Sequence, residues 1–133
     1  MFGPHLTSYV YFIYGTNWCL NVASERAGVG AAVLVRACVP VAGAERMRRL
    51  RGRDVPDRAL ARGPGNLCRA FAIDAALDGI DLARDARLAL ADDGTVLPAA
   101  ESTRIGLTRA ADVRHRFYAR GEPSVSGPRA LSP

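Results

Sequence analysis

Near its amino terminus the chain carries Ser8-Tyr9-Val10-Tyr11-Phe12-Ile13-Tyr14, then Gly15-Thr16-Asn17, then Trp18-Cys19-Leu20-Asn21-Val22. Aromatic and β-branched residues dominate the first and third runs, and such residues favour strands. The glycine and asparagine between them supply turn chemistry, so the three runs predict a β-hairpin. Both faces of the first strand are apolar, which predicts a central strand and not an edge strand.

The predicted elements that follow are short. A third strand is expected over residues 31–36, a run of apolar side chains. Helical spacing of apolar residues predicts a helix over 41–50, and glycine and proline then precede a short predicted helix over 66–73. Residues 79–90 are ambiguous, with apolar residues whose spacing also suits a turn plus a strand.

Two further strands are predicted at 104–107 and 116–119. The whole pattern predicts the α+β class, as a single domain on a curved antiparallel β-sheet with a protruding β-hairpin and short helices. From Pro123 onward, serine, glycine and proline predict an extended, poorly ordered segment. We place the domain at residues 1–126 and a disordered tail at 127–133.

Length and hydropathy limit the class of protein. The chain has 133 residues, 49% of them hydrophobic, which is enough for the core of one domain. No apolar run approaches the roughly 20 residues that a transmembrane helix needs. Residues 8–22 are apolar, but no basic region precedes them and no small-residue cleavage site follows, so a secretory signal is not predicted. We expect a cytoplasmic protein with no membrane partner.

The positive charge is carried by arginine alone. Eighteen arginines and no lysine stand against 13 acids, which gives a net charge of +5 at pH 7. Seven of the acids and only two arginines lie in residues 74–101, so the rest of the chain carries +10. Guanidinium groups bind phosphate in a bidentate manner and stack on bases better than ammonium groups do. The pattern favours a protein that meets a polyanion on one side; a basic protein with no nucleic-acid role is the alternative.

Metal sites and the common catalytic motifs are not predicted. Cys19, Cys38 and Cys68 are widely spaced, with only His5 and His115 to join them, which disfavours a zinc site and a disulfide framework. We expect buried free thiols, no metal and no cofactor. P-loop, GxGxxG, HExxH and GxSxG motifs are absent. A glycine-rich turn at 63–66 before a helix suits phosphate binding, but helix capping is the commoner reason for it.

Large aromatic side chains gather around the hairpin: Tyr9, Tyr11, Tyr14 and Trp18. Flat apolar faces beside arginines are what base stacking requires. Tyr14 falls at the turn, where a protruding ring can fill the gap left by an extruded nucleotide. The alternative interpretation is an aromatic core strand.

Motifs in the hairpin region run in the order Tyr9-Val-Tyr-Phe-Ile-Tyr-Gly15, Trp18-Cys-Leu-Asn21 and Ala32-Val-Leu-Val-Arg36. Further motifs follow as Gly63-Pro64 with Leu67, Arg104-Ile105-Gly106, Arg116-Phe117-Tyr118, Gly121, Pro123 and Val125-Ser126. In these motifs and their order, across nearly the whole chain, the protein resembles the 3-methyladenine (alkyladenine) DNA glycosylase family. The resemblance implies an enzyme of base excision repair that flips alkylated or deaminated purines out of double-stranded DNA and hydrolyses the N-glycosidic bond. It implies no metal and no cofactor, and a protein associated with the bacterial nucleoid.

The resemblance also implies roles for five positions. Tyr11 would stack on the flipped base, and Asn21 would sit in the base pocket, where it obstructs the 2-amino group of normal guanine. Tyr14 would intercalate through the minor groove. Arg36 would contact the DNA backbone near the reacting water, and the main-chain carbonyl of Ile105 would help to orient that water.

The departures from the family pattern concern catalysis. Family members carry, before the hairpin strand, a segment whose glutamate deprotonates the attacking water. Here residues 1–4 resemble the family's stretch just before that strand, so we expect the C-terminal two-thirds of the domain, inactive alone. The chain's own glutamates match no catalytic position and suit solvated surface carboxylates: Glu25, Glu45, Glu101 and Glu122.

Smaller departures lie in the hairpin and near the end of the chain. Thr16-Asn17 replaces the family's more usual Met-His pair, and Ser124 stands where some relatives have an aromatic. A non-catalytic damaged-DNA-binding protein is therefore the first alternative. The second is the remnant of a truncated or miscalled reading frame.

Overall fold

The structure, a computed structural model, describes residues 1–106, 108 and 111–128. Within those residues the elements are β1 (Ser8–Ile13), β2 (Asn17–Ala23), β3 (Ala32–Leu34), α1 (Ala44–Arg51), α2 (Asp57–Leu60), α3 (Pro64–Ala70), a 3-10 helix (Ala75–Leu77), β4 (Ala99–Ser102) and β5 (Arg116–Ala119). Antiparallel sheets with short helices confirm the predicted α+β class. No helix in the described part of the chain is long and apolar enough to cross a bilayer.

The larger sheet is antiparallel and has the order β1-β2-β3. Its register runs from Ser8↔Val22 to Ile13↔Asn17 in the hairpin, and Asn21 pairs with Leu34 of β3. The predicted hairpin and third strand are thus confirmed. Pairing residues share a face of a sheet, so this register decides which side chains meet beside the tyrosines.

The prediction that β1 is a central strand is wrong, because β2 lies between β1 and β3. A loop covers the outer edge of β1 instead. Ser8 N donates to Ile80 O at 3.0 Å, and Val10 N donates to Asp78 Oδ1 at 2.8 Å. The expected strand within residues 79–90 is also absent, and that described segment pairs only through the isolated bridge Thr7↔Asp81. A loop carbonyl and a carboxylate thus satisfy the edge amides of an apolar strand.

The apolar core lies between one face of the larger sheet and the helices. Val10 and Leu20 come from the sheet, while Met47 of α1, Leu60 of α2 and Leu67 of α3 come from the helices. Leu60 is 0% exposed and Leu67 is 3% exposed. Because side chains alternate along a strand, burying Val10 turns its neighbours in β1 to the opposite face.

A second, two-stranded sheet pairs β4 with β5, from Ala99↔Ala119 to Ser102↔Arg116. The predicted strand 116–119 is confirmed. The strand predicted over 104–107 is not found at 104–106, because Gly106 has a φ of 75° and turns the chain there. Leu107 lies outside the described residues. The partner of β5 is instead residues 99–102, whose composition gives little strand signal.

Glycine and proline set the ends of the helices. The predicted helix 41–50 is shifted to α1, because Gly43 has a φ of 75° immediately before it. The helix predicted over 66–73 begins two residues earlier, with Pro64 at its first position. It ends before Ala72, whose φ is 54°. The helix α2 and the 3-10 helix were not predicted, since four and three residues are too few for a periodic signal.

The segment after β5 is held by hydrogen bonds. Ser124 and Ser126 are buried, and Arg62 Nε donates to Val125 O at 2.9 Å. The prediction of a poorly ordered segment from Pro123 is therefore wrong for residues 123–126, because contacts from distant parts of the chain fix them. Residues 129–133 of the predicted tail lie outside the described residues.

Candidate nucleic-acid interface

The hairpin ends in a turn that projects an aromatic ring. Residues 14–16 connect β1 to β2, and Thr16 N donates to Ile13 O at 3.2 Å. Tyr14 and Gly15 both have positive φ, 55° and 65°. Glycine adopts this conformation freely, whereas tyrosine pays roughly 1–2 kcal/mol for it. The Tyr14 side chain is nevertheless 84% exposed, so a strained turn presents it to solvent.

Tyr9 and Tyr11 lie side by side on the sheet face opposite the core. Their ring centroids are 5.3 Å apart and the rings are tilted by 33°. Neither belongs to the described core cluster, which Trp18 does pack against. The alternative of an aromatic core strand thus applies to Trp18 and not to these two rings.

Asn21 and Cys19 lie across the hairpin from the two tyrosines. Asn21 is 7% exposed, pairs with Tyr9, and donates from Nδ2 to Tyr9 O at 3.1 Å. This bond fixes the orientation of the Asn21 amide. Tyr11 pairs with Cys19, and burial, with a smaller contribution from Cys19, raises the pKa of the Tyr11 hydroxyl. The ring therefore stays neutral at physiological pH.

A cleft of about 630 Å³ is lined by two of the predicted site residues. It is lined by residues of β3, of β5 and of the segment 122–126, together with Arg36 and Ile105. The structure thus brings Arg36 and Ile105 together. Tyr11, Asn21 and Tyr14 are not among the described lining residues of the cleft.

Two guanidinium groups meet at Ser126 in this cleft. Arg36 Nε donates to Ser126 Oγ at 3.4 Å, and Arg116 donates to Ser126 O at 2.7 Å. Arg116 is 4% exposed. It also donates to Ser102 Oγ at 2.6 Å and lies 4.6 Å from the centre of the Tyr118 ring. Sequence reasoning assigned no role to Arg116, although an arginine opening an apolar strand was a signal for it.

The cleft is electrically positive. Burial lowers the pKa of Arg116, and the charge of Arg36 lowers it further. Arginine remains protonated at neutral pH in spite of such shifts. Arg104 also lines the cleft, and Glu122 is the one acid among its described lining residues. Two neighbouring cations favour the binding of an anion.

Glu122 differs from the other glutamates. Glu25, Glu45 and Glu101 are exposed, as expected of surface carboxylates. Glu122 is half-buried and lines the cleft, so the surface interpretation is wrong for it. Its Oε1 accepts a hydrogen bond from Ser124 N at 2.8 Å, which turns the carboxylate toward its own loop.

The three thiols are free. Cys19 and Cys68 are buried, as predicted, whereas Cys38 is half-buried. Burial raises the pKa of Cys68 to about 11, so it stays protonated and unreactive at neutral pH. In the part of the chain that the structure describes, no group of three or more histidine, cysteine or acidic side chains could hold a metal ion.

Comparison of the sequence with known proteins identifies a family. The family model described as Methylpurine-DNA glycosylase (MPG) matches residues 1–123. Similar proteins that share the name "Putative 3-methyladenine DNA glycosylase" occur in Mesorhizobium japonicum and Burkholderia lata. The first is 50% identical over 128 residues, which cover 93% of this chain and 60% of that protein. The second is 44% identical over 131 residues, which cover 96% and 63%.

A protein of the same name in Methanoculleus marisnigri is 44% identical over 131 residues, 95% of this chain and 67% of that protein. The chain thus spans 60–63% of the length of the first two relatives. The family-model match includes the hairpin and the segment that joins Arg36 to Arg116. This chain belongs to the methylpurine-DNA glycosylase family, a family of DNA glycosylases.

Proposed function

We propose that this chain supplies the DNA-reading surface of a base-excision repair enzyme that removes alkylated or deaminated purines from double-stranded DNA. The observation that carries the proposal is the hairpin tip, where Tyr14 is 84% exposed in a strained turn. An aromatic wedge of this kind can enter the minor groove and occupy the space of a flipped nucleotide. The enzyme would act on nucleoid DNA in the cytoplasm.

In this proposal the sheet face receives the flipped base. Tyr11 offers a neutral ring on which a purine stacks. Asn21, fixed by its bond to Tyr9 O, obstructs the 2-amino group of normal guanine. An unmodified guanine would then lose contacts that an alkylated adenine or hypoxanthine keeps, which gives selectivity by exclusion.

The cleft would hold the backbone and the water. Arg36 binds the phosphodiester of the flipped nucleotide, and the Ile105 carbonyl orients the attacking water. The water oxygen bonds to the sugar C1′ as the N-glycosidic bond breaks and its electron pair leaves with the purine. A purine that alkylation has made cationic leaves as a neutral base without protonation, whereas a neutral deaminated purine leaves as an anion and takes a proton from solvent water. The family resemblance assigns the water's proton to a glutamate that no glutamate of this chain matches.

The proposal is tested by binding and base release on matched duplexes. One duplex holds a hypoxanthine, as a deaminated purine, and the other holds the normal base. We expect tighter binding to the damaged duplex, which weakens as salt rises because phosphate contacts release counterions. Tyr14→Ala should lower the affinity for the damaged duplex about tenfold or more, in line with the loss of one base-stacking ring. Unchanged affinity of that variant would refute the wedge role.

A damaged-DNA-binding protein without catalysis is the second candidate. It is favoured by one observation: Glu122, the one carboxylate among the described cleft residues, already accepts a bond from Ser124 N. A positioned base contributes about 10²–10⁴-fold to such a hydrolysis. Base release is measured by alkaline cleavage of the abasic product. Glu122→Gln is compared with the wild type, and Glu101→Gln, at an exposed position, is the control. If the wild type binds the damaged duplex but releases no base, the result supports this candidate. If the wild type releases the base and only Glu122→Gln loses that activity, Glu122 is the general base.

A further inference from the structure

The helix α3 packs directly against the hairpin. A Cβ built on Gly65 would lie 2.7 Å from Asn17 Oδ1 and 2.9 Å from Asn17 Cβ, closer than side chains can pack. The absence of a side chain at Gly65 is therefore what lets β2 lie on α3. The hairpin and the helix form one unit through this contact.

Arg69 extends from α3 on the same side. It follows Gly65 by four residues, and residues four apart share a helix face. Arg69, Thr16 and Asn17 line a hollow of about 220 Å³ between the hairpin and α3, here called the hairpin hollow. Thr16 is two residues from Tyr14, so an exposed guanidinium and two small polar groups lie at the base of the projecting ring.

One cation and one acid, Arg69 and Asp74, line the hairpin hollow, and a second cation lies close by. Arg51 lies near Arg69: burial lowers the pKa of Arg51, and the charge of Arg69 lowers it further. Arg51 Nε donates a hydrogen bond to Leu60 O at 2.9 Å. Among the described residues, Arg69 takes part in none of the ion pairs. Asp74 also lines the hollow, and its Oδ1 accepts from Ala76 N at 2.9 Å.

We propose that Arg69, with Thr16 and Asn17, binds a DNA backbone phosphate beside the site that Tyr14 enters. The inference rests on the proposed function, in which the hairpin penetrates the minor groove. That groove is only about 6 Å wide and is walled by phosphates, so a cation at the base of the wedge meets one of them. A phosphate bound there limits how far the Tyr14 ring enters the groove. The limit is set by α3, because this helix carries Arg69 and packs against the hairpin.

The test is the salt dependence of binding to the hypoxanthine duplex, measured by fluorescence anisotropy with the full chain. Each phosphate contact contributes about 0.9 to the slope of log affinity against log salt. Arg69→Gln should lose that contribution to the slope. When salt rises from roughly 50 to 200 mM, the loss of affinity in this variant should therefore be about 3.5-fold smaller than the loss in the wild type. Arg69→Lys keeps the charge and should keep the slope. Asp74→Asn should bind more tightly, because it removes the carboxylate from the hairpin hollow.

Arg84→Gln is the matched control. The Arg84 side chain is 87% exposed, and its Nε lies 3.9 Å from Asp81 Oδ2. Asp81 forms a β-bridge with Thr7, at the opposite end of the hairpin from Tyr14. An unchanged slope in Arg84→Gln with a reduced slope in Arg69→Gln supports the proposal. Equal slopes in Arg69→Gln and the wild type, or equal losses in both variants, overturn it while leaving the DNA-binding function intact. No binding by the wild type overturns both. Equal thermal unfolding of all variants shows that the fold is kept.

Discussion

Gly65 of α3 and Asn17 of β2 are in contact at a distance that only a glycine permits, since a Cβ on Gly65 would lie 2.7 Å from Asn17 Oδ1. The hairpin that carries Tyr14 is therefore positioned by a helix and not by its own strands alone. Asn17 is held in turn by its Nδ2, which donates to Thr16 Oγ1 at 2.8 Å. The orientation of the turn thus depends on packing at α3.

Gly65→Ala should destabilise the protein by about 1–3 kcal/mol, because an added methyl group must displace Asn17. The measurement is the free energy of unfolding in urea. Asn17→Gly removes the three side-chain atoms nearest to the added methyl group, so Gly65→Ala should cost much less in that background. Additive costs in the double-mutant cycle would show that Asn17 is not the obstacle.

Arg116→Met should destabilise the protein by about 2–4 kcal/mol, since a buried charged donor is lost and its acceptors remain. The acceptors Ser126 O and Ser102 Oγ would be left without these bonds inside the fold. Arg114→Met is the matched control: Arg114 donates to Glu101 O at 2.8 Å from an exposed position, where water replaces the bond. A cost at Arg116 no larger than at Arg114 would contradict a structural role for the buried guanidinium.

The fold was predictable where local signals are strong. The hairpin, β3 and β5 follow from strand-forming runs and turn residues in the sequence. The edge position of β1 was not predictable, because its outer amides bond to Asp78 and Ile80, about 70 residues away in the chain. The strand β4 was missed for a related reason: residues 99–102 have little strand propensity and pair only because β5 lies beside them.

The candidate site shows the same division. The five assigned positions came from motifs, and the structure adds that Arg36 and Ile105 share a cleft. The meeting of Arg36 and Arg116 at Ser126 spans 90 residues, so no local pattern indicates it. Arg69 had a local signal in its spacing from Gly65, but only the contact of Gly65 with Asn17 shows which way that helix face points.

The Cys68 thiol makes the free energy of unfolding depend on pH in the alkaline range. Burial raises its pKa from an ordinary 9.0 to about 11, so the folded state holds the proton more tightly than the unfolded state. The resulting stabilisation is complete below pH 9 and is lost as pH rises to about 11. In urea unfolding, the stability difference between the wild type and Cys68→Ala should shrink across this range. A constant difference would show that the thiol titrates alike in both states.

Substitutions of Tyr14 distinguish the effect of backbone strain in the turn from the effect of the aromatic ring on DNA binding. Its φ of 55° is free for glycine but costly for alanine, so Tyr14→Gly should be about 1 kcal/mol more stable than Tyr14→Ala. Both variants lack the ring and should bind the damaged duplex equally weakly, whereas Tyr14→Phe should bind like the wild type. Thermal unfolding and anisotropy on the four proteins provide the two measurements. If affinity instead followed stability, so that the glycine variant bound better than the alanine variant, the turn's conformation and not the aromatic wedge would be what DNA recognises.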